Sequence, residues 1–207
     1  LKKDDSKLDG LYQHAETRIE ESPIIGELSL KNADNLPEFT GFDRYLYASG
    51  GARVEGAELT ATLIEASGFE KVEGPVTLSP LDNGTYEING QTFDKVILAC
   101  GAWLGQTLEP LGFEVDVRPQ KGQLRDYFFE GLDTGKLPVL MPEGELDVIP
   151  FAGGKISVGA SHENDQGFDL TVDEAVLEGL EEEAKTYFPD LRTAKSFSER
   201  VGTRAYT

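Results

Sequence analysis

The sequence contains little cysteine, histidine and basic charge, and each shortage excludes a class of protein. Its 207 residues include one cysteine and two histidines. A single cysteine excludes an internal disulfide and a cysteine-rich metal site. His14 and His162 lie far apart in the sequence and match no zinc-ligand spacing. We therefore expect neither a disulfide framework nor a bound metal ion.

Positive charge is scarce, because 19 Lys and Arg residues stand against 38 Asp and Glu residues and leave a net charge of −19. A surface of this sign repels phosphates, so we expect no nucleic-acid partner. The simplest explanation of the charge is solubility. The content of 39% apolar and 28% charged residues is that of an ordinary folded domain rather than a disordered chain.

Long apolar runs are also missing. The longest stretch without a charged residue is Val96–Leu108, which is shorter than the roughly 20 residues that a helix needs to cross a bilayer. The first residues are charged and polar, unlike a secretory signal. These features predict a cytoplasmic protein without an integral membrane segment. Because the sequence starts without methionine and stops at Thr207 within an expected strand, we expect a fragment of a longer protein.

Two segments have the periodicity of amphipathic helices. Glu55–Ser67 places its apolar residues on one face and is followed by Gly68, a typical C-cap. Thr171–Phe188 opens with a Thr-x-x-Glu capping box, and we expect its acidic run Glu181–Glu183 to be a solvated face. A third, frayed helix is expected near the start of the chain.

Most of the remaining sequence has the features of strands and hairpins. Asn83-Gly84 and Asn89-Gly90 predict a three-stranded meander, since Asn and Gly both tolerate positive φ. The run Val96–Cys100 lacks alternation and is expected to be buried on both faces. The fold class is therefore α+β, with a strand-rich mixed or antiparallel sheet and two main helices. Gly153-Gly154 is expected to join Leu146–Pro150 and Lys155–Ser161 in a hairpin. The expected strands are Ile24–Leu30, Val76–Leu81, Thr85–Ile88, Thr92–Cys100, Glu114–Arg118, Gln123–Phe129, Leu146–Pro150, Lys155–Ser161 and Ser196–Thr207.

Familiar catalytic and phosphate-binding motifs are absent, and one segment stands out. The sequence has no GxGxxG, no GxxxxGK[ST] and no Gly-x-Ser-x-Gly. Cys100 lies in an apolar run where a thiolate would be costly, which favours a buried residue over a nucleophile. The segment Phe93–Trp103, FDKVILACGAW, ends an apolar run in small residues and glycine, so that a ligand could approach its backbone. A tight turn without a ligand explains it equally well.

Resemblance to a known family separates these alternatives. FDKVILACGAW resembles the second flavin-contacting segment of the FAD-dependent oxidoreductases of the D-amino-acid oxidase, glycine oxidase and sarcosine oxidase family, where a hydrophobic strand precedes Ala-x-Gly-Ala-Trp. Each motif is weak alone, but five in the family's order make the resemblance strong. The others are GGARVEGAELTATLIEASG at Gly50–Gly68, VRPQKGQL at Val117–Leu124, KISVGASHENDQGFD at Lys155–Asp169, and the Phe-Pro pair within Tyr187–Asp190 together with VGTRAYT at Val201–Thr207.

The resemblance implies a division of the chain. Residues 1–70 and 106–207 would be two parts of a substrate domain, and residues 71–105 an excursion of the flavin-binding domain that contains the β-meander. The family's glycine-rich unit, which holds the pyrophosphate of FAD, would precede residue 1. We therefore expect FAD in the full-length parent, and we expect this chain alone to lack flavin and to be inactive. Surface left exposed near Ala99–Trp103 would carry a risk of self-association.

The activity implied by the resemblance is oxidation of the CH–NH bond of a small amino acid or N-methyl amino acid, by hydride transfer to flavin N5. Orientation and the flavin would do most of this work, so no catalytic side chain is assigned. Oxygen and a membrane quinone both remain open as electron acceptors. Two other classes also remain: a non-catalytic module of the same fold that binds a small carboxylate, and a structural domain of an acidic protein.

The family's cofactor contacts carry over to one short strand and one turn. Val76 lies where the family offers backbone contacts to the adenine. Ala99, Cys100 and Gly101 lie where the turn passes the adenosine end of FAD. Trp103 either packs near the cofactor or belongs to a core, and the sequence does not separate these roles.

The family's substrate contacts carry over with departures. Arg204 lies where the family's arginine holds the substrate carboxylate, which a planar guanidinium binds bidentately, but Ala205 replaces the usual proline beside it. Asp147 takes the place of a tyrosine that lies over the substrate in glycine oxidase. Ser161 replaces a threonine, and His162 after it is either a pocket residue or a loop residue, with the loop favoured.

Overall fold

The computed structural model describes residues 5–207, which fold as an α+β protein with antiparallel sheets. The expected fold class is confirmed. Within the described residues the helices are α1 Asp5–Arg18, α2 Gly56–Ser67, α3 Leu104–Leu108 and α4 Glu174–Tyr187, and the strands are β1 Leu28–Asn32, β2 Arg44–Ala48, β3 Leu78–Pro80, β4 Tyr86–Ile88, β5 Gln91–Phe93, β6 Arg118–Phe128, β7 Asp147–Phe151, β8 Lys155–Gly159 and β9 Ser196–Tyr206.

The described residues form two compact units. The first contains residues up to 53 together with 121–163 and 170–202, and the second contains 54–120, 164–169 and 203–207. The boundaries predicted from the family resemblance, at residues 70 and 105, differ from these and stay a prediction. None of the helices in residues 5–207 has the length and apolar content that a bilayer crossing requires.

The main sheet has the strand order β7-β8-β6-β9, and β8 runs antiparallel to both β7 and β6. The predicted hairpin between β7 and β8 is confirmed, since Gly153 and Gly154 both adopt positive φ in its turn. Strand β6 is longer than expected, because pairing extends it back to Arg118.

Helix α4 packs on one face of this sheet and closes the main core. Leu177, Ala184 and Tyr187 of α4 are buried, whereas Val176 and Leu180, which the helical spacing places on the same face as Ala184 and Tyr187, are only partly buried. The expected capping box is wrong in detail, because the N-cap is Asp173, whose carboxylate accepts from the amides of the next turn. The core consists of Phe39, Tyr127, Phe129, Leu137, Leu140, Leu146, Val148, Ile156, Val158, Ala184, Tyr187, Phe188 and Leu191.

The predicted meander of the second unit is confirmed, although its strands are shorter than expected. Strands β3, β4 and β5 pair in sequence order, and Asn89 adopts a φ of 49° beside Gly90. The Asn89 side chain ties the meander together by accepting from the Thr77 amide and donating to the Pro75 carbonyl. Helix α2 ends as predicted at Gly68, which is left-handed with a φ of 64°.

The predictions for Val96–Cys100 and Glu114–Arg118 are wrong. The first segment forms no strand and its side chains are not buried, with Ile97 93% exposed. Among the described residues no strand pairs with either edge of it, so its apolar side chains have no sheet neighbours to pack against. In the second segment only Arg118 belongs to a strand, since β6 begins at that residue.

The glycines of the β7–β8 turn provide a matched pair of substitutions. A Cβ on Gly154, at a φ of 80°, would lie 2.3 Å from the Phe129 carbonyl oxygen, whereas a Cβ on Gly153, at a φ of 77°, would meet no atom within 4 Å. We expect Gly153→Ala to lose about 1 kcal/mol and Gly154→Ala roughly 3 kcal/mol in the free energy of unfolding, because only the second adds a backbone clash to the left-handed strain. Urea unfolding measures both, and equal losses would contradict the assigned clash.

Candidate substrate and flavin site

In the first unit, the structure brings two of the predicted substrate residues together at one end of the β7–β8 hairpin. Asp147 opens β7 opposite Gly159, and His162 follows shortly after β8. The Nδ1 atom of His162 lies 3.3 Å from Oε2 of Glu145. Burial raises the pKa of Asp147 above its ordinary value, and the charge of protonated His162 opposes that rise. The carboxylates of Glu145 and Asp147 therefore both interact with the imidazole of His162.

The Asp147 carboxylate receives no hydrogen bond and forms no ion pair with any part of the chain from residue 5 to residue 207. Its side chain is nevertheless only partly exposed. A partly buried carboxylate without a donor is unfavourable, since it loses water without gaining a replacement. Asp147 is thus suited to accept a hydrogen bond from a ligand.

Strand β6 separates the charges of the first unit onto two faces of the main sheet. Successive side chains of a strand point to opposite faces, so Arg125 points towards α4 and the core, and Asp126 points to the other face. We call the second face, which carries Asp126, Ser157 and Asp147, the polar face. Ser157 pairs with Asp126 across the strands, and Gly159, two residues later, pairs with Asp147.

On the α4 side, Arg125 is a buried cation held by three carboxylates. Its guanidinium donates to Glu181 at 2.9 Å and to Glu199 at 2.7 Å, and it also binds Glu174. The side chain is only 5% exposed, and it stacks over the Phe197 ring at 4.4 Å. This network was not predicted from the sequence, because it forms only where three elements of the fold meet.

Glu181 joins the network to α4 and is not the solvated residue that its acidic run predicts. Burial alone raises its pKa, but hydrogen bonds from Lys185, Tyr127 and Arg125 outweigh burial and hold the pKa below its usual range. Burial and the bond to Glu181 raise the pKa of Tyr127, whose hydroxyl donates to Glu181 at 2.7 Å. Glu182 and Glu183 are exposed, as predicted.

On the polar face, Asp126 is a buried carboxylate with its own partners. Arg200 donates to it at 2.9 Å, and the Ser157 hydroxyl also binds it. The Nζ atom of Lys155 lies 4.0 Å from its second oxygen. These residues were not predicted from the sequence. The adjacent Arg125 and Asp126 at the centre of a predicted strand were a signal that buried ion pairs would be needed.

Ser161, one of the departures from the family pattern, retains a hydroxyl that holds the loop after β8. It accepts from the Gln123 amide at 2.9 Å and donates to Glu163 at 2.6 Å. Glu163 also accepts from the side chain of Gln123 and lies 3.9 Å from Nζ of Lys121. These contacts assign Ser161 a structural role and fix the residue that precedes His162.

In the second unit, Arg204 lies near the end of β9 and is partly buried. Thr203 beside it has a buried hydroxyl oxygen for which the described residues provide no hydrogen-bond partner. Adjacent residues of a strand point to opposite faces, so these two side chains face different surroundings. The role of Arg204 in binding a carboxylate stays a prediction.

The predicted cofactor residues of the second unit lie on exposed backbone. Val76 is 68% exposed, and Ala99 and Gly101 are also exposed, whereas Cys100 is partly buried. Gly101 adopts a φ of 52°, and a Cβ there would meet no atom within 4 Å. Glycine is therefore required at this turn by its backbone conformation, and the space beside it is open to a ligand.

Trp103 follows this turn and packs on a neighbouring aromatic ring. Its ring stacks on Phe168 with the centroids 5.0 Å apart and the planes inclined by 27°. The side chain remains 49% exposed. Trp103 thus has a packing role in the second unit, and a contact with the cofactor stays a prediction.

Comparison with known proteins identifies the family. The family model described as FAD dependent oxidoreductase matches residues 3–207. The chain belongs to this family of FAD-dependent oxidoreductases. The family resemblance stated from the sequence is confirmed.

Three relatives of this FAD-dependent oxidoreductase chain place it within the family. It is 33% identical to an uncharacterized oxidoreductase, YurR, of Bacillus subtilis (strain 168), over 99% of the chain and 58% of that protein. It is 32% identical to a glycine oxidase of Pseudomonas aeruginosa, over 79% of the chain and 47% of that enzyme. The crystal structure of iminodiacetate oxidase from Chelativorans sp. BNC1 superposes with a TM-score of 0.90 at 28% identity, over 99% of this chain and 58% of that one. The chain thus spans about half the length of these relatives.

Proposed function

We propose that the full-length protein oxidises the CH–NH bond of a small amino acid or N-methyl amino acid. The observation that carries the proposal is the similarity to a glycine oxidase and to an iminodiacetate oxidase over most of the chain. Glycine and iminodiacetate both have an amine on a carbon that bears a carboxylate. That shared unit defines the substrate class we propose here.

The residues of the second unit fit the adenosine end of FAD. Val76, Ala99 and Gly101 are exposed, and a Cβ on Gly101 would meet no atom within 4 Å, which suits a flat, mostly apolar ring that needs few polar contacts. FAD would supply the acceptor for the two electrons that leave the substrate. The residues of this chain would bind the cofactor's far end and orient the substrate.

Arg204 is the residue that we propose binds the substrate carboxylate. A guanidinium binds a carboxylate through two parallel hydrogen bonds, which fixes orientation as well as position. Fixed orientation holds the α-carbon of the substrate in one place and lowers the entropic part of the barrier. No side-chain general base is assigned.

We expect Arg204→Met in the flavin-loaded, full-length protein to lower kcat/KM about 100-fold or more, because an uncompensated carboxylate enters the site. Arg204→Lys should recover part of the loss, since it restores charge but not the fork. The measurement is anaerobic bleaching of the flavin by glycine, sarcosine, proline and D-amino acids. Arg18→Met is the control, because Arg18 is an exposed residue whose ion pair with Glu21 spans 3.7 Å.

The carboxylate-binding module is the alternative that the same preparation tests. If the full-length protein binds no flavin and none can be reconstituted, the oxidase proposal fails. Calorimetric binding of a small carboxylate by that flavin-free protein would then support the module. Bleaching by one member of the panel rules it out.

A further inference from the structure

We infer that Arg200 binds a carboxylate ligand with an apolar body on the polar face of the main sheet. The inference goes beyond the proposed function, because it assigns a binding site to a residue that the proposed oxidation does not use. It depends on how the Arg200 guanidinium is anchored, on the donors that it keeps and on the apolar side chains of the same face. All of the residues that form the site belong to the first unit.

The Arg200 guanidinium is anchored by two buried polar side chains. Its Nη2 atom donates to Oδ1 of Asp126 at 2.9 Å and lies 3.4 Å from the Ser157 hydroxyl oxygen. The Asp126 side chain is 7% exposed and Ser157 is 3% exposed, and the Ser157 hydroxyl also donates to Asp126. A cation that is already held by buried partners loses little conformational freedom when it binds a ligand, so this anchoring favours binding.

The same guanidinium keeps donors for a second anion. A guanidinium has five N–H donors, and towards residues 5–207 Arg200 uses only those of Nη2, while its side chain remains 48% exposed. Arg125 on the other face differs, because it is 5% exposed and binds three carboxylates. Free N–H groups on a planar fork match a carboxylate, which accepts two parallel hydrogen bonds. Arg200 is therefore suited to bind a ligand carboxylate while Asp126 holds it in place.

Apolar side chains lie beside this cation on the polar face. Phe128 follows Asp126 by two positions in β6, and Ile149 of β7 pairs with Ser157 of β8. Because alternate residues of a strand share a face, Phe128, Ile149 and Phe151 all point to the polar face. Ile149 and Phe151 are only partly buried, and Phe128 is 38% exposed. Ligand sites typically combine a mostly apolar lining with a few polar groups, and this face offers both.

Charge and shape narrow the ligand to a monocarboxylate. A ligand ammonium would be repelled by Arg200, and a neutral group would accept weaker hydrogen bonds than a carboxylate does. Inorganic phosphate has no apolar body to cover Phe128 or Ile149, and its greater negative charge is opposed by a chain with a net charge of −19. An aryl or alkyl carboxylate neutralises the cation and covers the apolar side chains at once.

The test is calorimetric titration of the full-length protein with 3-phenylpropionate. Acetate, inorganic phosphate and 3-phenyl-1-propanol are the comparison ligands, because acetate and phosphate lack the apolar body and the alcohol lacks the charge. We expect each of the three to bind about tenfold or more weakly than 3-phenylpropionate. Equal affinity for acetate and 3-phenylpropionate overturns the inference, as does the absence of saturable 3-phenylpropionate binding.

Substitutions locate the binding site. Arg200→Gln should weaken 3-phenylpropionate binding about tenfold or more, because it removes both the charge and the fork. Arg200→Lys keeps the charge but not the fork and should recover only part of the loss. Arg192→Gln is the matched control, since it removes the same charge from an exposed arginine, and it should leave the affinity within about twofold. Thermal unfolding checks that the variants fold.

A second control separates Arg200 from the arginine that we propose binds the substrate. Arg204→Met should retain the affinity for 3-phenylpropionate, and loss of binding in this variant overturns the inference. Wild-type affinity in Arg200→Gln overturns it as well, and so does an equal loss in Arg192→Gln. Reduction of the flavin by amino acids does not enter this titration, so the inference and the proposed function can fail independently.

Discussion

Replacement of Arg125 by methionine is expected to lower the free energy of unfolding by about 3–5 kcal/mol. The substitution keeps most of the side-chain volume but removes the cation that three carboxylates share. Glu181 and Glu199 are themselves only 22% and 21% exposed, so water cannot replace the lost hydrogen bonds completely. Urea unfolding of this chain at neutral pH measures the loss.

Arg44→Met provides the comparison, because the Arg44–Asp9 pair has a similar length of 2.9 Å but lies nearer the surface, with the side chains 30% and 50% exposed. We expect a loss of about 1 kcal/mol or less there. Equal losses at the two positions would show that burial does not govern the Arg125 network.

The same variant has a characteristic pH dependence. The pKa of Glu181 is lower in the folded protein than its ordinary value of 4.5, so its ionisation stabilises the fold above that pH and this contribution is lost as the pH falls through the folded pKa. Arg125→Met removes one of the donors that lower this pKa. The difference in stability between wild type and variant should therefore shrink at acidic pH, and a difference that grows would contradict the assignment.

Added salt is expected to stabilise this chain strongly. A net charge of −19 on 207 residues produces self-repulsion in the compact state, and the screening length falls from about 10 Å in 0.1 M salt to about 3 Å at 1 M. We expect the midpoint of thermal unfolding to rise by roughly 4–8 °C between these concentrations of KCl, which corresponds to about 2 kcal/mol for a chain of this size. Differential scanning calorimetry measures the shift.

A variant with less negative charge separates screening from general effects of salt. Glu20, Glu70 and Glu178 are exposed residues, and their simultaneous replacement by glutamine removes three negative charges. The variant should be more stable than wild type in dilute buffer, and its response to KCl should be smaller. An unchanged response would mean that the salt effect does not come from self-repulsion.

The parts of the fold that were predicted correctly have local causes. Asn-Gly pairs, the C-cap at Gly68 and the Gly153-Gly154 turn are short signals that require particular backbone angles, and the structure contains all of them. Val96–Cys100 was predicted wrongly because an apolar run reports only that burial is favourable. Whether burial occurs depends on neighbouring strands, which no local pattern describes.

The candidate site was predictable to a different degree. The family motifs selected Arg204, Asp147 and His162, and the structure brings the last two together near Glu145. Neither the contact of Glu145 with His162 nor the pairing of Arg200 with Asp126 was predicted from the sequence. The pairing of Arg200 with Asp126 depends on which side chains two strands present to the same face, and the contact of Glu145 with His162 depends on which segments the sheet brings together. Neither follows from the sequence of any one strand.

The paired charges of β6 and β9 bear on how the chain avoids misassembly. Arg125 binds Glu199 on one side of the sheet and Asp126 binds Arg200 on the other, and each pair joins residues 74 positions apart. Displacement of β9 by one residue would exchange its two sides. Glu199 would then leave the side of Arg125, and Arg200 would leave the side of Asp126. The nearest wrong alignment of β9 would therefore break the ion pairs on both sides of the sheet at once and leave buried charges without partners, which disfavours that alignment.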